Sequence, residues 1–337
     1  MTGFEPATSC SQSKRATSCA TSRKCENQYI RNQKKLQAAL AENGLLRENG
    51  GMETIDLKDA ACFGVAGNFT GHLEQAGEAE NFTAIKVLDA AAPKALFPTY
   101  IPALTRAQGA SKASGAAAVP SFLNTFPFDA EKIVFPKGEQ KVQIEPEMAL
   151  VFDAQWQGQK LLALEPRFFG ASNDVSIRKE GELKISVKKN WGPSSKGFSS
   201  QAIKVEPGIF DRYRIASYLR RDGKLFEYGE NSPVNGYSYF GKKLNDWLLD
   251  KFNNQKDIGP AEDIHSYLLA AGFPQKIFVS VGATRYSDFG KENFLQSGDD
   301  SIVALYPDSY SKEKIEEMIL SGKAAEGVSL LCQRVVL

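Results

Sequence analysis

From residue 52 onward, continuous and alternating apolar runs are separated by long polar connections. Strand-forming β-branched and aromatic residues concentrate at Ala61 to Val65, Lys132 to Phe135, Glu147 to Phe152, Leu183 to Val187, Ile277 to Val281 and Ser301 to Leu305. A helical period predicts helices over 239–252, where Tyr239, Leu244, Trp247 and Leu248 recur on one face, and over 261–271 and 311–320. Strand thus outweighs helix, which predicts a β-rich, mixed α/β fold. Residues 103–119, rich in Ala, Ser and Gly, read as a loop ordered near a site or as a mobile excursion. The sequence carries no internal repeat and no Gly-rich phosphate loop opening a helix.

The first 51 residues break this pattern. Ser, Thr, Lys, Arg, Gln and Asn dominate them, with little apolar surface to offset the entropy of ordering. We therefore expect 1–51 to be a disordered or spurious extension and 52–337 to form the folded domain. The opening run resembles a tail assigned upstream of a true start at Met52, and a basic targeting peptide is the alternative. Residues 1–35 hold Lys14, Arg15, Arg23, Lys24, Arg31, Lys34 and Lys35 against Glu5 and Glu26. Since the whole chain is only +1, the body is slightly acidic, and no nucleic-acid partner is expected. No apolar run reaches the roughly 18 residues of a membrane span, and no secretory h-region is evident, so a cytoplasmic protein without a membrane partner is expected. Cys62 and Cys332 stand in apolar surroundings without metal-type spacing and read as reduced packing residues, while Cys10, Cys19 and Cys25 lie in the tail.

Chemistry concentrates in three segments. In Gln143-Ile-Glu145-Pro-Glu147-Met-Ala-Leu-Val-Phe152, carboxylates two residues apart on extended chain project from one face and can converge on one cation. The alternative is a solvated pair on a strand edge, an arrangement that Pro146 permits. In Phe169-Gly-Ala-Ser-Asn-Asp174-Val-Ser-Ile-Arg178, Asp174 falls on a turn, either as a third carboxylate or as an Asx-turn or cap. Three carboxylates completed by water and substrate oxygens suit Mg²⁺, Mn²⁺ or Ca²⁺. Lys196, in Trp191-Gly-Pro-Ser-Ser-Lys-Gly-Phe198, has small neighbours that let backbone approach a ligand, although a lone loop lysine is commonly a solvated one.

Taken together, Glu-x-Glu before an apolar strand, Asn-Asp-x-Ser-x-Arg, and Trp followed by Lys-Gly-Phe resemble the fumarylacetoacetate hydrolase superfamily. The resemblance spans about 60–310. It implies a β-roll, commonly a homodimer, with Glu145, Glu147 and Asp174 as metal ligands and Arg178 and Lys196 in the substrate pocket. Upstream, Gly67-Asn68-Phe69-Thr-Gly-His72-Leu-Glu74-Gln75 resembles the superfamily's lid stretch, which implies that His72, with Glu74 or Glu78, activates water. The superfamily's own dyad glutamate falls at Gln75 here. Thr284 resembles a substrate-carboxylate contact displaced by one residue, with Ala283 in the expected place, and Gly181 replaces a glutamine. The implied activity is metal-dependent hydrolysis of a carbon–carbon bond in a small 2-oxo or 2,4-dioxo acid through a metal-stabilised enolate. Decarboxylation, isomerisation, hydration and a non-catalytic metabolite-binding role are the alternatives. His265 reads as a surface or capping residue, and Trp156, Trp191 and Trp247 as packing.

Overall fold

Hydrophobic alternation on both faces of the strands explains the architecture of the computed structural model, which describes residues 51–337 except 78, 84, 86, 88, 104–115, 117, 180, 182 and 183. The strands are β1 (Met52–Glu53), β2 (Ala61–Ala66), β3 (Ala95–Tyr100), β4 (Lys132–Val134), β5 (Val142–Gln143), β6 (Pro146–Gln157), β7 (Lys160–Asn173), β8 (Ser176–Ile177), β9 (Gly197–Phe198), β10 (Ala202–Lys204), β11 (Tyr213–Arg221), β12 (Lys224–Pro233), β13 (Lys276–Ser280), β14 (Asp300–Pro307) and β15 (Ser329–Val336). The helices are α1 (His72–Gln75), α2 (Gly241–Asn254), α3 (Ile264–Ala270), α4 (Asp288–Glu292) and α5 (Lys312–Ser321). One sheet runs β1-β10-β7-β6-β13-β2-β3 with β9 also on β7, a second runs β12-β11-β14-β15-β4, and β5 pairs with β8. The class is β-rich mixed α/β, as the hydrophobic pattern predicts, and Gly51–Leu337 is one compact unit.

Successive residues of β6 serve two cores. Met148, Leu150 and Phe152 enter the main core, while Ala149 and Val151 enter a smaller one with Leu57, Tyr100, Phe198 and Phe278. A strand covered on both faces reads as a continuous apolar run, which is why Glu147 to Phe152 stands out in the sequence. In the second sheet, Val303 and Leu305 of β14 face the main core, and Ile302, Ala304 and Tyr306 meet Ile315, Met318 and Ile319 of α5. That helix starts at Ser311, whose hydroxyl accepts from Lys314 N, and stops at Gly322 in the left-handed region. Among the described residues, no helix is long and apolar enough to cross a membrane.

Two expectations change. Residues 185–188 form a 3-10 turn instead of a strand, with Ile185 buried, Val187 42% exposed, and Leu183 outside the described residues. Among the described residues, no strand pairs with this segment. Its lysine, Lys184, instead bonds Asp257 and the carbonyls of Gly259 and Ala261. β6 is also no sheet edge: β7 and β13 flank it, and Pro146 is tolerated as its first residue. The expected tail, apart from Gly51, and most of the 103–119 loop lie outside the described residues.

Candidate metal centre

The mouth of the β6–β7 hairpin gathers the acidic residues. Pro146 is in register with Asn173, so Glu145 and Glu147 flank one side and Asp174 continues from the other. Asp174 N donates to Glu145 O at 3.0 Å, and Glu145 N donates to Asn173 Oδ1 at 3.1 Å, which fixes the two backbones together. Glu145, Glu147 and Asp174 are 5%, 1% and 1% exposed, which overturns the solvated-edge alternative. One carboxylate oxygen from each lies within 4.8 Å of the others.

Three cations stand against these three anions. Arg178 donates to Glu145 Oε1 at 2.8 Å, to Gln143 Oε1 at 2.8 Å and to the Tyr286 hydroxyl at 2.7 Å. Lys196 lies 3.0 Å from Asp174 Oδ1 and also donates to the Val175 carbonyl. Lys189 Nζ is 2.6 Å from Glu145 Oε2 and 2.6 Å from Asp174 Oδ2. Burial alone would raise the Glu145 carboxyl, but Lys189 and Arg178 hold it well below the carboxylate range. Glu147 goes the other way, raised first by burial and then by the charges of Asp174 and Glu145, while Gly282 N donates to its Oε2 at 2.8 Å. Burial pushes Lys196 down to about 8 against the opposing pull of Asp174.

His72 opens the short α1, is buried, and its ring lies 5.1 Å from that of Tyr286, which also bonds Arg178. Its charge is one of the influences that lower Glu145. Glu74 is exposed on the far side of the same turn, Gln75 Oε1 accepts from Tyr286 N at 2.9 Å, and Glu78 lies outside the described residues. Thr284 is buried, and its amide donates to Pro146 O at 3.1 Å, which places it beside the acidic mouth. The structure thus brings together Glu145, Glu147, Asp174, Arg178, Lys196, His72 and Thr284, and leaves Glu74 outside. Asn68 anchors the turn that carries His72, donating to Tyr239 O and Val281 O and accepting from Tyr239 N.

Lys189 is the residue the sequence hides. In Lys188-Lys189-Asn190 it reads as part of a solvated basic run, yet it is 3% exposed. The only local hint is Asn190, a turn former whose amide donates to the carbonyls of Thr99, Phe122 and Thr125 and pins this backbone. Lys196, by contrast, lies in a segment that the sequence singles out.

Fold and site define a β-rich α/β protein with a buried triad of carboxylates able to take a divalent cation. The chain belongs to a family of unknown function (DUF5718), whose model matches residues 78–335. No curated protein matches it. Similar solved structures include 2-keto-3-deoxyarabinonate dehydratase, at 15% identity and TM-score 0.49, with 84% of this chain and 75% of that one covered. The dehydratase complexed with magnesium and 2,5-dioxopentanoate gives 14% identity, TM-score 0.47 and coverage of 82% and 72%. 5-Carboxymethyl-2-hydroxymuconate delta-isomerase from Mycobacterium smegmatis gives 13%, 0.44, 82% and 78%.

Proposed function

We propose that this chain is a divalent-metal-assisted enzyme of the fumarylacetoacetate hydrolase type, acting on a small 2-oxo or 2,4-dioxo acid. The observation that carries the reading is the convergence of Glu145, Glu147 and Asp174, buried, within 4.8 Å of one another. Hard carboxylate oxygens suit Mg²⁺, Mn²⁺ or Ca²⁺, and a cation among them would relieve the repulsion that raises Glu147. Such an ion, when bound, polarises a carbonyl and stabilises the negative charge that develops as a neighbouring bond breaks.

The chain's own groups do the rest. Arg178, committed to Glu145, Gln143 and Tyr286, orients the first ligand and so acts chiefly as a positioning residue. Lys196, next to Asp174, supplies positive charge for the substrate carboxylate, and Thr284 lines the same mouth. His72 holds or moves a proton at the Tyr286 side of the site. In the hydrolytic form of the reading, His72 works with a carboxylate to activate water. The exposed Glu74, and the engagement of Gln75 with Tyr286, favour the alternative in which no water is delivered: decarboxylation or isomerisation at the same centre.

The test is turnover of acylpyruvates, oxaloacetate and related dioxo acids by the full chain, with Mg²⁺ or Mn²⁺ against chelator. Metal-dependent loss of one substrate supports the reading, and the product states whether water was added. Tight metal binding with no turnover across the panel would leave a metabolite-binding protein, and no metal binding at all would remove the basis of the proposal.

A further inference from the structure

Resting on that metal reading, we infer that Lys189 is a built-in cation that competes with the metal ion for Glu145 and Asp174. Its ammonium nitrogen is equidistant, at 2.6 Å, from Glu145 Oε2 and Asp174 Oδ2, oxygens of two of the three residues a metal would take. A divalent ion binds such oxygens at about 2.0 to 2.6 Å. An ammonium and a divalent ion therefore cannot both sit between the same two carboxylates, on grounds of space and of like charge. The metal must displace Lys189.

The placement of Lys189 is built into the chain. Its backbone follows the 3-10 turn of residues 185–188, with its N–H donating to Ser186 O at 3.0 Å. The next residue, Asn190, donates from Nδ2 to Thr99 O, Phe122 O and Thr125 O at 2.8, 3.1 and 3.0 Å. Its Nζ also lies over the Phe97 ring, 5.2 Å from the centre. With that backbone pinned, only rotation of the lysine side chain can vacate the position. The ion pairs agree: Arg178 and Lys189 meet Glu145, and Lys189 and Lys196 meet Asp174, so each of these two carboxylates already has two cationic partners. A binding-competent state populated only in part weakens apparent affinity by that fraction. If the lysine vacates the position for about a tenth of the time, the penalty is about tenfold.

The experiment compares Mn²⁺ binding by the full wild-type chain and by Lys189→Met, using calorimetric titration and the electron paramagnetic resonance of bound Mn²⁺. Thermal unfolding with Mn²⁺ or chelator accompanies both. We expect the variant to bind at least about tenfold more tightly. Chelation should leave the wild-type melting temperature unchanged and lower that of the variant. Equal or weaker binding by the variant overturns the competition while leaving the metal site standing. No Mn²⁺ on either protein overturns both the competition and the metal reading. Should Lys189→Met fail to fold, Lys189→Gln replaces it. Should that fail too, the wild-type protein decides: a drop in the melting temperature of the purified chain on chelation assigns the balancing charge to a resident metal and overturns the inference, and no drop from a chain that takes up Mn²⁺ in the titration supports it.

Discussion

Single side chains in this protein carry unequal consequences even when they share one site. Asp174 faces two buried ammonium groups, Lys189 and Lys196, so Asp174→Ala would leave Lys196 without its carboxylate partner and Lys189 with Glu145 alone. Breaking a buried ion pair from one side costs about 3 to 5 kcal/mol, and urea denaturation should register a loss of that size. Glu147 differs, because its neighbours already push it toward the neutral form. Glu147→Gln keeps an acceptor for Gly282 N, and we expect stability within about 1 kcal/mol of wild type together with loss of Mn²⁺ binding. Away from the site, burial raises Glu262 from 4.5 to about 7, opposed by Ser186 and Lys184. Between those values the folded chain holds a proton that the unfolded chain has released, so stability falls as pH rises across that window, by about 3 kcal/mol in all. Denaturation at pH 5 and pH 8 should show this fall in wild type and a shallower one in Glu262→Gln.

At this scale, legibility depended on whether a side chain's neighbours lie close in sequence. Glu145, Glu147 and Asp174 sit at the open end of one hairpin, and the motif they form with Lys196 is visible in the sequence. Lys189 reaches the carboxylates only because Asn190 beside it is held by Thr99, Phe122 and Thr125 from distant stretches of chain, and nothing within a few residues of it announces that. Glu74 failed for the opposite reason. It sits in the right motif, but α1 is a single turn, and its geometry sends residue 74 to solvent while His72 goes inward.

Elements with clean periods were the readable ones. α2 buries Leu244, Leu248 and Phe252 at four-residue intervals, and α3 and α5 begin at Asp263 and Ser311, side chains that accept from the first turn. The long strand β7 escaped notice because Glu165-Pro166-Arg167 interrupts its alternation. The ladder with β6 absorbs that stretch in a register shift between Val151 and Phe152. β12 likewise carries Gly229 and Asn231, weak strand formers, opposite a shift around Ser217. The short α4 is a close fit: a methyl on Gly290 would lie 2.0 Å from the Tyr228 carbonyl oxygen. Gly290 O also accepts from Gln143, which accepts from Arg178. Gly290→Ala should therefore cost about 3 kcal/mol or more, and a matched loss of Mn²⁺ affinity would show that α4 supports the ligand set. Unchanged affinity would show that the support ends at Gln143.

Across the whole molecule, the two large sheets meet at Gln333. Its side-chain amide donates to Asp129 O, Lys132 O and Lys196 O, and its oxygen accepts from Asn173 Nδ2. Gln333→Leu would leave several buried groups unsatisfied at about 1 to 3 kcal/mol each, so we expect a loss of at least about 3 kcal/mol in denaturant titrations. The overall class was legible from the balance of strand and helix patterns, but the pairing was not. β2 lies parallel to β13, and β15 inserts between β14 and β4, partners chosen by packing between distant stretches of chain. The place of β15 sets an order of events during synthesis. Lys196 and Asn173 leave the ribosome more than a hundred residues before Gln333 does, so the amide that ties these two positions together reaches them only once β15 has docked.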